Sequence, residues 1–406
     1  MDKKSYETEA PVLLCNYTDV YYSDVIAMGM EFMSATASPQ QIETFTLRAG
    51  DTIITKDSET ADDIGISAFV PNDLPGVVCG YHLTMIRPGE GVSGSFVKRL
   101  FDAKPTKAHL EVSANGLTRV GLGQYAIDNL TFAWPPREEQ TAIATFLDRE
   151  TAKIDALVAE QQELIALLQE KRQAVISHAV TKGLNPSVPM KDSGVEWLGE
   201  VPAHWAISLL KRAFSSVDYG ISESLDSDGN IAILRMGNIV DGHLDLSDLK
   251  YVNAVDPALL LRAGDLLYNR TNSVDLVGKV GLVTAEVGEA TSFASYLVRL
   301  RVRSGACAKY FAQLLNHPGF LGLVRSSAFV AIGQCNLNPN RYGEFIVPIP
   351  PAAEQDAIAN FLESRVYEFD RLVIEAKAAV NLLRERRTAL ISAAVTGQID
   401  VRGLSA

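Results

Sequence analysis

The sequence predicts an α+β protein: two similar globular domains joined by two long antiparallel, coiled-coil-like helices and related by a pseudo-twofold internal repeat. Three observations predict this fold: the repeat itself, two long stretches of helical apolar periodicity, and short strand-like runs that precede each stretch. A length of 406 residues suits two or three domains. Because 47% of the residues are apolar and 21% are charged, we expect packed cores rather than disorder.

The repeat has an offset of about 215 residues. A motif of the form Pro-x-x-Glu-Gln-x-Ala-Ile-Ala-x-Phe-Leu occupies residues 136–147 and returns at 351–362. Upstream, Leu-Arg-Ala-Gly-Asp at 47–51 returns at 261–265. Since only small gaps separate the matching blocks, both halves should fold in the same way.

A long helix is predicted in each half, over about 138–178 and about 354–395. Prolines precede each helix at 135–136 and 350–351, and Gly183 and Gly397 provide stop signals. About 40 helical residues span roughly 60 Å. Apolar residues recur every three or four positions, which is typical of helix–helix packing.

A helix with such a stripe needs a partner, and the other copy supplies one. We therefore expect an antiparallel helix pair; the alternative is that each helix packs on its own domain. The residues expected to pack between the helices or against partner proteins are Phe146, Leu147, Leu157, Leu168, Phe361, Leu362, Leu372 and Leu383.

The segments before the helices contain short strand-like runs. In the second half these are residues 231–234, 265–268, 279–283 and 296–302, followed by a helix over 308–315. In the first half they are residues 51–55, 66–70 and 81–86, followed by a helix over 94–101. We expect α+β domains with a curved sheet.

The motifs of common enzymes are incomplete in this sequence. Residues 277–280 lack the upstream glycine and the hydroxyl of a phosphate-binding loop, and the six histidines show no His-Glu-x-x-His spacing. The (Asn/Asp)-Pro-Pro-aromatic turn of amino-group methyltransferases is also lacking: 185–188 and 338–341 have neither the second proline nor the aromatic residue. We therefore expect no catalytic site and no metal site, with an enzyme acting alone as a weak alternative.

Charge and cysteine usage limit the class of protein further. The net charge of −12 argues against a general nucleic-acid coat, so any such site must be a local surface. Cys15, Cys79, Cys307 and Cys335 are scattered, which favours a reducing cytoplasm. No apolar run is long enough to cross a membrane, and the N-terminus is not typical of a signal peptide.

Polar loops supply the candidate binding residues. Arg270 and Asn272 follow a predicted strand, and Gln334 lies in a later loop. Arginine and asparagine can make paired hydrogen bonds to guanine and adenine, although a polar turn held by its own hydrogen bonds is the alternative. In the first half, Lys56 and Arg119 occupy the corresponding loops. Alternating arginines at 299, 301 and 303 suggest a phosphate track, or else a solvated sheet face.

The repeated Pro-x-x-Glu-Gln motif with its helix, together with the segment Asp-Ser-Gly-Val-Glu-Trp-Leu-Gly-Glu-Val-Pro-Ala-His-Trp at 192–205, resembles the specificity (S) subunit of type I restriction-modification systems. The resemblance implies two target recognition domains that each read one half of a bipartite, asymmetric DNA site. It also implies that the helices set the spacing and dock modification (methyltransferase) subunits, and that restriction subunits join the complex. S-adenosylmethionine, ATP and magnesium would then belong to those partners, and this chain would hold no cofactor.

The resemblance divides the chain into a first recognition domain at 1–134, a helical spacer at 135–183, a second recognition domain with its lead-in at 184–345, and a second helical spacer with the tail at 346–406. The first domain has no counterpart of 192–205, so we expect either a truncated chain or a start assigned too late. The alternative function is a truncated or orphan coiled-coil adaptor that assembles with partner subunits without binding specific DNA.

Overall fold

A computed structural model describes residues 8–331 and 334–403. The chain forms two compact units. One unit runs to Leu164 and resumes at Glu375, and the other comprises Ile165–Ile374. Each unit therefore holds one globular domain and one part of each long helix.

The secondary structure alternates short strands and helices before each long helix. The α-helices are α1 Tyr17–Tyr21, α2 Pro39–Phe45, α3 Gly94–Asp102, α4 Lys104–Ser113, α5 Gln124–Asp128, α6 Arg137–Lys182, α7 Ala308–Leu315, α8 Pro318–Ser327, α9 Pro339–Gly343 and α10 Ala352–Val395. The strands of the first domain are β1 Ala10–Cys15, β2 Met33–Ala37, β3 Thr52–Thr55, β4 Asp57–Ser58, β5 Ser67–Phe69, β6 Val77–Cys79, β7 Leu83–Ile86 and β8 Val120–Gly121.

The second half has more strands than the first. They are β9 Met190–Asp192, β10 Glu200–Pro202, β11 Ala206–Leu209, β12 Phe214–Tyr219, β13 Ile231–Leu234, β14 Ile239–Val240, β15 His243–Leu244, β16 Lys250–Val252, β17 Asp265–Asn269, β18 Thr271–Asn272, β19 Val280–Leu282, β20 Thr291–Phe293, β21 Leu297–Val302, β22 Phe329–Ala331, β23 Gln334–Asn336 and β24 Ile346–Ile349. Short 3₁₀ turns occupy Ala61–Asp63, Leu210–Ala213, Met236–Asn238, Pro257–Leu259 and Ala285–Val287.

The two domains share their strand pairing, which confirms the predicted repeat. In the first domain β1 pairs antiparallel with β2 and parallel with β6. In the second, β13 pairs in the same two ways with β16 and β20. A further sheet has the order β5-β3-β7 in the first domain and β19-β17-β21-β12 in the second. The expectation of one curved sheet was wrong, because each domain divides its strands between separate small sheets.

An ion pair between a buried aspartate and a half-buried arginine explains the repeated Leu-Arg-Ala-Gly-Asp motif. The carboxylate of Asp51 accepts hydrogen bonds from Nε and Nη2 of Arg87 at 2.8 and 2.7 Å. Asp265 accepts the same two bonds from Arg301 at 2.6 and 2.7 Å. The glycine before each aspartate has a φ of +92°, a conformation that residues other than glycine rarely adopt. The motif therefore encodes a tight turn that places its aspartate carboxylate within hydrogen-bonding distance of one arginine.

The helices α6 and α10 are antiparallel, as the sequence predicts. In one unit, Ile143 and Leu147 near the start of α6 are buried together with Ile391 and Ala394 near the end of α10. In the other unit the ends are reversed, since residues near the end of α6 share a core with residues near the start of α10; these are Ile176, Ala179, Val180, Ile358 and Leu362. Phe146 and Phe361 pack at the edges of these same cores.

The apolar seam of each helix differs from the predicted seam in one of its two stripes. Leu157 and Leu372, expected to pack against the opposite helix, are 44% and 39% exposed. The position that packs in the seam lies one residue further along, at Val158 and Val373, whose side chains are half-buried. Leu168 and Leu383 belong to the other stripe and are half-buried. The second stripe was misassigned because it also contains Thr151, Arg172 and Arg387, whose polar side chains conceal it in the sequence.

The glutamine of the repeated motif joins each long helix to its domain. The buried Gln140 accepts a hydrogen bond from the backbone N–H of Ser93 at 2.8 Å and donates one to the carbonyl of Pro135 at 2.8 Å. Gln355 makes the same contacts with Cys307 N at 2.9 Å and Pro350 O at 2.8 Å. One side-chain amide thus forms hydrogen bonds both with a backbone N–H of the domain and with a backbone carbonyl of the turn that precedes the helix.

The lead-in of the second domain, residues 190–219, adds strands that the described part of the first domain does not repeat. Trp205 from this segment is fully buried in the core of its unit. The strand β12 extends the sheet by pairing with β21. Within the described residues, no helix has an apolar stretch that could cross a membrane.

Candidate nucleic-acid interface

Three of the predicted binding residues lie together in the second domain. Arg270 separates β17 from β18, and Asn272 in β18 lies opposite Cys335 in β23. Gln334, which is exposed, is the neighbour of Cys335 in that strand. Strands β18, β23 and β22 pair into a small ribbon; Asn272 and Gln334 lie in its strands, and Arg270 directly precedes β18.

Backbone hydrogen bonds fix Arg270 on both sides. Its N–H donates to the carbonyl of Tyr296 at 3.0 Å, and its carbonyl accepts from Leu337 N at 2.9 Å. The guanidinium lies 5.2 Å from the ring centroid of Tyr219, and its Nη1 donates to the carbonyl of Ser295 at 3.3 Å. These contacts occupy few of the five guanidinium donors, so most remain for a ligand.

The first domain holds Lys56 and Arg119 in an equivalent ribbon. Lys56 N donates to the carbonyl of His82 at 3.1 Å, and Lys56 O accepts from Leu122 N at 2.8 Å, which matches the two bonds of Arg270. The strand β4 follows Lys56 and pairs with β8, which Arg119 directly precedes. The repeat therefore places Lys56 where Arg270 lies, with the same backbone and a different side chain.

Exposed tyrosines near both ribbons were not selected from the sequence. Lys56 Nζ lies 5.5 Å from the ring centroid of Tyr81, which is 53% exposed. In the second domain Tyr219 and Tyr296 are 49% and 50% exposed. Each ribbon thus combines a cation with aromatic surface. The available signal was an aromatic residue at or near the end of a strand: Tyr81 lies two residues before β7, Tyr219 ends β12, and Tyr296 directly precedes β21.

The expected phosphate track of arginines was wrong. Arg299 is only 3% exposed and donates to the carboxylate of Asp218 and to the carbonyls of Leu260 and Ala258. Arg301 is committed to Asp265, and its hydrogen bonds to that carboxylate raise the pKa of Arg301. Arg299 and Arg301 therefore pair with aspartates of their own domain, and of the three alternating arginines Arg303 is the exposed one.

Among the described residues, no group of three histidine, cysteine, aspartate or glutamate side chains could hold a metal ion. Burial raises the pKa of the Cys15 and Cys79 thiols, which keeps them protonated and unreactive. The described surface offers hydrogen-bond donors and aromatic rings at the two ribbons, which is a set of groups suited to binding.

Curated relatives were found by sequence comparison. The EcoKI specificity subunit of a type I restriction enzyme, from Escherichia coli K12, is 23% identical over 366 residues, covering 87% of this chain and 75% of its own length. The StySPI specificity subunit from Salmonella potsdam is 22% identical over 365 residues, with the same coverage. No protein-family model matches the chain.

Solved structures share the fold. The HsdS subunit from Thermoanaerobacter tengcongensis has a TM-score of 0.58 at 16% identity and covers 96% of this chain and 92% of its own. A chain from a structural study of complex assembly and conformational transition in the type I R-M system has a TM-score of 0.69 at 17% identity, with 96% and 93% coverage. In sequence the chain is similar to specificity subunits of type I restriction enzymes over most of its length, and in fold it is similar to solved HsdS structures.

Proposed function

We propose that the chain is the DNA-recognition subunit of a type I restriction-modification complex, in which each globular domain reads one half of a bipartite, asymmetric site. One observation carries the proposal: the repeat places Lys56 and Arg270 on equivalent backbone hydrogen bonds, each directly before the first strand of a small ribbon. Two domains that share one backbone arrangement but carry different side chains are suited to bind two DNA half-sites of different base sequence.

The chemistry of each ribbon fits base edges and phosphates. Arginine binds the O6 and N7 atoms of guanine, and asparagine or glutamine binds the N6 and N7 groups of adenine. Arg270, Asn272 and Gln334 are therefore the proposed contacts of the second domain, and Lys56 and Arg119 those of the first. Such a local site is compatible with a net charge of −12, because the ribbons alone need to attract DNA.

In this proposal the long helices act as a spacer between the half-sites and as the docking surface for the modification and restriction subunits. Those partners would supply S-adenosylmethionine, ATP and magnesium, and this chain would be non-catalytic and free of cofactors. Its place would be the cytoplasm of a bacterium or archaeon, where the chromosome and invading DNA are accessible. The domain bounds of 1–134, 135–183, 184–345 and 346–406 remain part of the proposal.

Methylome sequencing of the host with and without this gene tests the function directly. We expect one bipartite adenine-methylated motif to disappear when the gene is deleted and to return with the intact chain. Replacing residues 205–345 with those of a relative should change one half of the motif and leave the other half intact. A change in both halves, or in neither, would contradict the modular arrangement.

Substitution of Arg270 tests the ribbon. In the complex with its methyltransferase subunits, Arg270→Ala should weaken binding of the motif by roughly 1–3 kcal/mol and relax specificity at one base pair. Arg303→Ala is the matched control, because Arg303 is an exposed arginine of the same domain and follows the end of β21 opposite to Tyr296, which accepts from Arg270 N–H. Unchanged affinity of the Arg270 variant at fixed salt would assign Arg270 to the scaffold.

The alternative function, an adaptor that no longer binds specific DNA, predicts a different outcome. The chain would still co-purify with methyltransferase subunits, but deletion of the gene would remove no methylated motif.

A further inference from the structure

Leu117 projects from the ribbon of the first domain into solvent. Its side chain is fully exposed, at 107% of the reference area. It lies in the turn that leads from α4 into β8, and this turn is closed by reciprocal hydrogen bonds between Asn115 and Gly121, at 3.1 and 2.9 Å. A single exposed leucine is ordinary on a protein surface, so its exposure alone assigns no role. The fixed shape of the turn and the residues beside it distinguish this leucine.

The turn is held in one shape. A Cβ atom at Gly116 would collide with the carbonyl oxygen of Arg119 and lie 3.0 Å from Cα of Val120, so the backbone folds tightly onto itself here. The side chain of Asn115 donates to the carbonyl of Ser113 at 2.9 Å. A turn fixed in this way presents Leu117 without the entropy cost of ordering a flexible loop on binding.

One exposed cation lies close to Leu117 in the chain. Arg119 is two positions further on and exposed, and Lys56 lies directly before β4, which pairs with β8. Of the acidic groups here, Asp57 in β4 is engaged by Nδ1 of His82 at 2.7 Å, and the exposed Glu59 follows β4 at the position that continues the register opposite Arg119. An apolar side chain two positions from an exposed arginine combines a group that can enter a DNA groove with one that can contact a phosphate.

The ribbon of the second domain has the same combination. Phe329 is 72% exposed and lies in β22, opposite Asn336 in β23. The next strand of that ribbon carries Asn272, and Arg270 directly precedes it. The pairing of Phe329 with Asn336 corresponds to the bridge between Asn115 and Gly121 in the first domain, so Phe329 corresponds to Asn115, two positions before Leu117. Both domains therefore place one large apolar side chain on the ribbon that carries the proposed base contacts.

We propose that Leu117 and Phe329 are DNA wedges, each inserting between adjacent base pairs at its own half-site and partly unstacking them. This inference rests on the proposed DNA-recognition function and adds to it a mechanical role for two residues. Apolar wedges of this kind unstack a step and bend the duplex, which makes the energy of binding depend on how easily that step deforms. Each domain would then sense the flexibility of a step that its polar side chains do not contact.

The test uses the full chain in complex with its methyltransferase subunits and duplexes that contain the motif found by methylome sequencing. 2-Aminopurine is placed in turn at each position in and beside the half-sites, because its fluorescence rises when it unstacks. We expect the wild-type complex to raise the fluorescence at one step in each half. Leu117→Ala should abolish the rise in the first domain's half only, and Phe329→Ala in the other half only, each with a loss of affinity of about tenfold.

The matched control is Val112→Ala, since Val112 is 85% exposed on α4 but lies outside the ribbon. Leu117→Phe should retain the fluorescence signal, because a bulky apolar side chain remains. If the wild-type complex binds the motif and no position brightens, or if both alanine variants leave the signal intact, the wedge is overturned while the recognition function stands. If the wild-type complex binds no specific DNA, the proposed function fails and the wedge fails with it.

Discussion

Arg387 on α10 places its Nε atom 2.9 Å from Oδ1 of Asp155 on α6. The repeat generates a second copy of this relationship, in which Nε of Arg172 on α6 lies 2.9 Å from Oδ1 of Asp370 on α10. Each pair lies within one compact unit. In both, an arginine takes a place that an apolar residue would fill in a regular seam, and an acidic residue of the facing helix compensates it.

A double-mutant cycle on Arg387 and Asp155 should give a coupling free energy of about 0.5–1 kcal/mol, because the pair is partly exposed and screened by solvent. The measurement is the free energy of unfolding from urea denaturation of Arg387→Met, Asp155→Ala and the double variant. The equivalent cycle on Arg172 and Asp370 is the matched comparison and should agree in sign. Zero coupling in both cycles would mean that the seam arginines contribute only through their aliphatic stems.

Gln140 connects its domain to the long helix, and its replacement should be costly. Gln140→Leu leaves Ser93 N–H and the carbonyl of Pro135 without partners in a buried place, so we expect a loss of about 2–4 kcal/mol. Gln355→Leu should cost a similar amount in the second unit. Thermal unfolding followed by circular dichroism measures both, with Gln162→Leu on the exposed face of α6 as control. Equal melting temperatures for Gln140→Leu and the control would contradict this account.

The repeat and the helices could be predicted because they depend on local chemistry. The stripe containing Leu147 and Ile154 is apolar except at Gln161, and it located α6 to within a few residues of its observed ends. The other stripe could not be placed from apolar residues alone, because the structure fills it with Thr151 and Arg172. A polar residue is tolerated in the packed seam only when a hydrogen-bonding or charged partner lies within contact distance. The sequence does not show that partner.

The candidate interface was predicted only in part, because local sequence signals do not show which charged side chains have partners elsewhere in the chain. Arg270, Asn272 and Gln334 follow strand signals and lie together once β18 and β23 pair. Arg299 and Arg301 have the same charge and a suggestive alternation, yet Asp218 and Asp265 engage them. Pairing between strands that are far apart in the chain decides which arginines remain available for a ligand. The periodicity of one strand does not predict that pairing.

The corrected seam makes a prediction about neighbouring residues of α6. Ile154 is 5% exposed and Leu157 is 44% exposed. Ile154→Glu should therefore cost about 3 kcal/mol or more, since it buries a carboxylate without a partner. Leu157→Glu should change the free energy of unfolding by no more than about 0.5 kcal/mol. The isolated chain is the sample for both measurements, and equal destabilisation by the two variants would restore the seam expected from sequence.

Asp218 should make the stability of the second domain depend on pH in the acid range. Burial alone would raise the pKa of its carboxyl, but hydrogen bonds from Arg299 and Ser216 outweigh burial and lower the pKa below its ordinary value of 3.8. A carboxyl whose pKa is lowered by folding stabilises the folded state above its unfolded pKa, and that contribution is lost as the pH falls through the folded pKa. Asp218→Asn should thus be less stable than wild type by about 1–2 kcal/mol near neutral pH, with the difference shrinking below about pH 4. Urea denaturation of both proteins across this pH range measures the difference, in which the other carboxyls cancel. A difference that stays constant with pH would show that the Asp218 charge contributes nothing and that the variant acts through packing.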